Sequence, residues 1–123
     1  MLELAQEYDC AIRFPFTEVS SEIQETSKYV PDLMREFKPH RPDTFFVNFY
    51  DETATKEELL NIISSVEEGT SEIMCHPGYV DDAFAKESVY NFQRERELNI
   101  LTDAAIKQAI EAQNIKLITF ADL

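Results

Sequence analysis

At 123 residues the chain has room for one domain or part of one, and a 44% apolar fraction with only 2 glycines and 5 prolines favours a packed core over disorder. Its 24 acidic and 11 basic side chains leave a net charge of -13, which repels phosphate backbones and anionic lipid and excludes both as partners. A neutral or cationic ligand remains, or an acidic surface that serves solubility alone.

Two cysteines, Cys10 and Cys75, make no disulfide framework and lack metal-ligand spacing, so both are expected to be small buried hydrophobes. No run approaches the ~18 apolar residues of a membrane span. The acidic residues 1–7 lack the basic region of a signal peptide, and a cytoplasmic location is expected.

Leu2, Leu4, Ala5 and Tyr8 predict a short amphipathic helix with no capping residue ahead of it, like the tail of a longer one. Residues 10–14 predict a first strand ending at Pro15, with Arg13 on the same face as Ala11. Residues 17–28 are polar and predict a loop. Residues 30–37 predict a helix, with Pro31 in its first turn and Leu33, Met34 and Phe37 at helical spacing. The prolines of Lys38-Pro-His-Arg-Pro-Asp43 forbid regular structure and mark a linker. Residues 44–50 give the clearest strand, apolar on both faces as in a covered parallel sheet.

Thr55-Lys-Glu-Glu58 is a capping box opening a helix with Leu59, Leu60, Ile63 and Val66 as its buried stripe, stopped by Gly69. Residues 73–75 predict a buried strand that Pro77 and Gly78 end. That leaves His76 at the strand's carboxyl end, where α/β proteins keep their ligands, with an imidazole suited to proton transfer near neutral pH. The other reading is a structural histidine bonded to a loop carbonyl. Glu72 shares the face of His76. If buried it needs a cation or a carbonyl-rich loop, and if wet it needs neither.

Ser88 is expected to cap a helix through Leu101, in which Val89, Phe92, Glu95 and Arg96 form no clean apolar stripe. Thr102 and Asp103 restart a second helix carrying Ile106, Ala109 and Ile110, with Asn114 as its left-handed terminus. Residues 115–120 predict the last strand. Strands alternating with helices define an α/β fold with a parallel sheet.

The ordered series Glu72-Ile-Met-Cys-His-Pro-Gly-Tyr79, Ser88-Val-Tyr90, Arg94-Glu-Arg-Glu-Leu98, Leu101-Thr102 and the closing residues 115–123 resembles the carboxyl half of the YdjC-like carbohydrate deacetylases. These include chitooligosaccharide deacetylases. Residues 5–8, 12–15 and 69–71 fit the same pattern, which is weakest over 17–42. The resemblance implies a TIM-barrel-like (β/α) deacetylase fold, of which this chain would carry about four parallel strands out of the usual eight or so. It implies hydrolysis of the acetamide of an amino-sugar oligosaccharide, assisted by a divalent metal (Mg or Zn). His76 matches the position of the acid that protonates the leaving amine. Arg13, in Arg13-Phe14-Pro15, matches an arginine that orients a catalytic carboxylate, a task suited to a permanently charged fork. A surface arginine at a strand end is the other reading. Tyr79 and Asp81 fall on the loop expected to touch sugar, although a loop tyrosine also serves packing. Tyr90, Arg94 and Glu97 are expected to pin their helix to the fold.

The resemblance places the metal ligands, an early Asp-Asp pair and a His-x-His motif, in an amino half that this sequence does not contain. Its two histidines are His40 and His76, and His40 is expected to be an exposed linker residue. An open half-barrel leaves sheet edges and apolar surface uncovered, so a homo-oligomer or pairing with a separate amino-terminal half is expected. The alternative is a catalytically incomplete fragment that serves only as a folded, self-associating interaction module.

Overall fold

The computed structural model describes residues 1–13 and 29–123. The loop expected over 17–28, and Phe14 and Pro15 at the end of the first expected strand, lie outside the described residues. The chain divides into two compact units. One comprises Met1–Phe45, Gly69–Glu72 and Leu117–Leu123, and the other Phe46–Glu68 and Ile73–Lys116.

In the first unit, helix α1 (Leu2–Glu7) starts at Met1 without a side-chain cap, as expected, and buries Ala5. It lies against α2 (Val30–Phe37), which has its proline in the first turn and ends where Lys38 turns left-handed (φ 43°). Residues 10–13 are irregular, against the expected strand. The Ile12 N–H donates to the His40 carbonyl at 2.8 Å, an isolated bond and not a ladder. Cys10 is exposed and not buried as expected. The Asp43 carboxylate accepts from both the Thr70 N–H and hydroxyl, each at 2.8 Å. The backbone bond first, then the hydroxyl, hold that carboxyl below its ordinary 3.8. Gly69 closes this turn at φ 120°, where a Cβ would meet Asp43 Oδ2 at 2.9 Å, so only glycine fits.

The second unit holds a core of Phe49, Ala54, Leu59, Ile62, Ile63 and Ile106, flanked by Phe46, Ile73 and Cys75. Helix α3 (Lys56–Ser65) opens where Thr55 Oγ1 accepts from the Glu58 N–H at 3.1 Å. The reciprocal half of the expected box is absent, because the Glu58 carboxylate instead accepts from Asn48. The buried stripe is Leu59, Ile62 and Ile63; Val66 is the helix cap and does not belong to it.

Helix α4 (Asp82–Glu87) is capped by Asp81, and α5 (Phe92–Leu101) by Asn91. The helix expected from Ser88 through Leu101 starts instead at Phe92, and Ser88 follows the end of α4, where its Oγ accepts from the Tyr90 N–H at 3.2 Å within the turn between the two helices. Helix α6 (Ala104–Ala112) starts at Asp103 and packs against α3. Lys56 donates to Asp103 at 2.7 Å, joining the starts of those two helices. That bond, followed by the Ala105 N–H, lowers the Asp103 carboxyl from its ordinary 3.8.

Strands β1 (Thr44–Phe46) and β2 (Ser71–Ile73) form a two-stranded sheet. They run parallel, with the Thr44 N–H on the Thr70 carbonyl at 3.0 Å and the Met74 N–H on the Phe46 carbonyl at 2.9 Å. Among the described residues these are the two strands present, against the four expected. The strand expected over 44–50 stops at Phe46, because the Thr53 hydroxyl draws in the carbonyls of Asn48 and Tyr50 and turns the chain. Asn114 is left-handed (φ 55°) as expected. The stretch after it is irregular, and the Asp122 carboxylate accepts from the Thr119 N–H, with no ladder neighbour for this stretch among the described residues. Apolar stretches become strands only where an edge is offered to pair with.

Candidate active site

His76 follows β2 after Met74, the last residue to donate into the sheet. Helix α5 grips the backbone beyond it at alternate residues. The buried Glu97 carboxylate accepts the His76 N–H, the Arg94 carbonyl accepts the Gly78 N–H at 3.2 Å, and Glu95 Oε1 accepts the Val80 N–H at 3.2 Å. The Arg94 guanidinium donates to the His76 carbonyl at 3.4 Å, so α5 engages both backbone groups of this residue.

Two tyrosines flank the imidazole edge-on, with the Tyr50 and Tyr90 ring centroids each 5.6 Å away. The two phenol rings stack on each other at 5.0 Å, nearly parallel. The Tyr90 hydroxyl donates to Glu97 and accepts from the Asp51 N–H at 3.1 Å. Burial, then the bond to Glu97, push this phenol from 10.0 up to about 12. The 50–53 turn is pinned in its turn. Gln93 donates to the Asp51 carboxylate at 3.1 Å, and Arg96 donates to the Asp51 carbonyl.

His76 Nδ1 is buried with no hydrogen-bond partner among the described residues. The bond to a loop carbonyl that a purely structural histidine would make is therefore not found at that nitrogen. A neutral imidazole with one nitrogen free can accept there, and a protonated one can donate.

Arg13 forms an ion pair with Glu72 within the first unit, its guanidinium 5.7 Å from the Phe45 ring. Glu72 falls between its two readings: it is half-buried, its side chain 10% exposed, and it has the cationic partner the buried reading required, Arg13. Glu72 Oε2 is buried without a partner among the described residues. Tyr79 projects outward, 91% exposed. Asp81 Oδ1 accepts from the Phe84 N–H at 2.8 Å, so that oxygen is engaged in capping α4. His40 is exposed and lies 3.9 Å from Asp9.

The residues treated from sequence as helix pins, Tyr90, Arg94 and Glu97, converge on His76, and Tyr50 joins them without any forewarning in the sequence. One signal was present: a helix with no apolar stripe must be held by something polar. Among the described residues no three His, Cys, Asp or Glu side chains gather as a metal site, so the described donors do not by themselves fit a divalent cation. Among those residues no helix is long and apolar enough to cross a membrane.

A mixed helix–strand chain with parallel strands defines an α/β protein. Residues 1–112 match the family described as YdjC-like protein, and the chain belongs to that family. It is 48% identical over 81 residues to a carbohydrate deacetylase of Thermoanaerobacter pseudethanolicus, covering 66% of this chain and 32% of that protein. Over 124 residues it is 35% identical to a carbohydrate deacetylase of Brevibacillus brevis, covering 100% of this chain and 46% of the relative. A solved structure from Enterococcus faecalis V583, provisionally described as a cellobiose-phosphate cleavage protein, superposes with a TM-score of 0.74 at 30% identity. That superposition covers 98% of this chain and 44% of the other. The chain thus spans between 32% and 46% of the length of the two curated relatives.

Proposed function

We propose that the chain is the carboxyl-terminal part of a metal-dependent carbohydrate deacetylase that removes acetyl groups from N-acetylated amino sugars or chito-oligosaccharides. In this reading it forms part of a TIM-barrel-like cytoplasmic enzyme that a separate amino-terminal half completes, while self-association would cover open sheet edges without supplying metal ligands. The described residues do not supply a site for the divalent cation, Mg or Zn, that this reading expects; bound by other residues, it would supply Lewis acidity toward an acetamide carbonyl. His76 is the acid. Water adds to the carbonyl carbon and gives its proton to a carboxylate base. The C–N bond then breaks as the His76 imidazolium passes its proton to the departing amine nitrogen, leaving acetate and a free amino sugar.

The observation that carries this reading is the fixed imidazole: His76 is gripped through its backbone by α5 and walled by two tyrosine rings. Arg13 takes the orienting role through the carboxylate it already holds, Glu72. Tyr79, exposed and aromatic, offers a face for a pyranose ring, and Asp81 contacts sugar hydroxyls through the oxygen that does not cap α4. The test is acetate release from N-acetylglucosamine oligomers by the enzyme carrying both halves. There His76→Ala is expected to lower kcat by about 10²- to 10⁴-fold, with cation affinity retained by titration calorimetry. An unchanged rate overturns the assignment.

A further inference from the structure

Glu97 is the buried charged side chain of the second unit, with no exposed surface at all. Removing a carboxylate from water is costly unless its oxygens are met by donors. Here each oxygen has one: the His76 N–H on Oε2 and the Tyr90 hydroxyl on Oε1. Those two donors belong to the residue whose ring is presented and to one of the rings that wall it. A single carboxylate therefore fixes both the backbone from which the imidazole hangs and the surface against which it rests. Fully enclosed, and with both oxygens occupied, Glu97 cannot reach a substrate. A catalytic base is excluded for it.

We infer that Glu97 is a positioning residue for His76, acting with Tyr90, and that the His76–Glu97–Tyr90 linkage sets where the imidazole points. This rests on the reading of His76 as the proton donor. Charged and titratable neighbours take other tasks: Arg94 holds the His76 carbonyl, Glu95 the Val80 N–H, and Asp51 is bound by Gln93 and Arg96. The Asp51 N–H closes the linkage by donating to the Tyr90 hydroxyl, which leaves that hydroxyl's proton aimed at Glu97. The upward shift of the Tyr90 phenol agrees with a proton held in place there.

The experiment is NMR on the isotope-labelled 123-residue chain and two near-isosteric variants, Glu97→Gln and Tyr90→Phe. In Glu97→Gln the charge-assisted bond becomes a neutral one. The His76 amide proton is expected to move upfield and to exchange about tenfold faster. The imidazole carbon-bound protons are expected to shift as the ring leaves its place beside the stacked Tyr50 and Tyr90 rings and their ring currents. Methyl signals of Ile62 and Ile106 in the core stay put. Tyr90→Phe keeps the aromatic wall and removes the hydroxyl, and it is expected to move the imidazole signals in the same direction by less. It serves on its own if Glu97→Gln does not fold. Unmoved His76 signals in whichever variant folds overturn the inference, as do core methyl shifts as large as those of His76, which mark general loosening. Acetate release and not these spectra tests the deacetylase reading, so each fails separately.

Discussion

Helices α3 and α5 lie in the same unit and are both 10 residues long, yet they are held in place by opposite means. Helix α3 buries Leu59, Ile62 and Ile63, and its contribution is apolar area removed from water. Helix α5 buries one residue, and it is Glu97. The reason is what each helix faces. Helix α3 packs against another helix, α6, whose backbone polar groups are already satisfied internally. Helix α5 faces the 76–80 loop, whose N–H groups have no ladder or helix of their own and must be met by something. Glu97, the Arg94 carbonyl and Glu95 meet them. A helix that meets a loop's backbone N–H groups thus gives up apolar packing in exchange for holding that loop.

The largest expected effect tests the apolar side of this contrast. Ile62→Ala should destabilise the fold by about 2–5 kcal/mol in urea unfolding, from lost burial and the cavity left behind. The next tests the polar side. Glu97→Leu puts an apolar side chain where α3 would have one. If α5 were held like α3, the change would be neutral or stabilising. Because it orphans the His76 N–H, while the Tyr90 hydroxyl still accepts from the Asp51 N–H, it should instead cost about 1–3 kcal/mol. A Glu97→Leu chain as stable as the parent would end the distinction. A smaller effect belongs to the helix start: Thr55→Ala removes the acceptor of the Glu58 N–H and should cost about 1 kcal/mol, read from the shift in urea midpoint at constant slope.

The same contrast explains what could be read from the sequence. Helix α3 was legible because period and cap are both written locally, in Thr55 and in the leucines and isoleucines that follow. Helix α2 was legible for the same reason, down to Pro31 in its first turn. That His76 lies beyond a strand was legible, but the strand expected over 73–75 is Ser71–Ile73 and stops before Pro77 and Gly78 could end it. The supports of His76 were not legible. The partner of Glu97 is a backbone N–H, which every residue but proline carries and no sequence marks. The partner of Glu72 is Arg13, 59 residues away in the chain. The described residues 10–13 of the first expected strand and the strand expected over 115–120 fared worst, because their apolar character is local while their pairing depends on neighbours elsewhere. Ser88 misled by type: a good cap residue was spent on a turn between two helices.

The last effect is a pH dependence that shows itself only in alkali, and it isolates the linkage between Tyr90 and Glu97. The folded phenol is raised from 10.0 to about 12, first by burial and then by its bond to Glu97. Between those values the unfolded chain releases the Tyr90 proton while the folded chain keeps it, so the unfolded state binds fewer protons and stability falls as pH rises. The stabilisation tied to this hydroxyl is therefore fully present below pH 10 and lost as pH climbs through about 12. Tyr90→Phe has no proton to lose at this site. Its deficit in unfolding free energy against the parent should be constant from neutral pH to the onset of phenol ionisation and should shrink beyond it, whereas the deficit of Ile62→Ala should not change across the same range. Urea unfolding of the three chains at stepped alkaline pH gives the comparison directly. Parallel curves for the parent and Tyr90→Phe would mean that the phenol ionises alike in both states, and that Glu97 does not hold its proton.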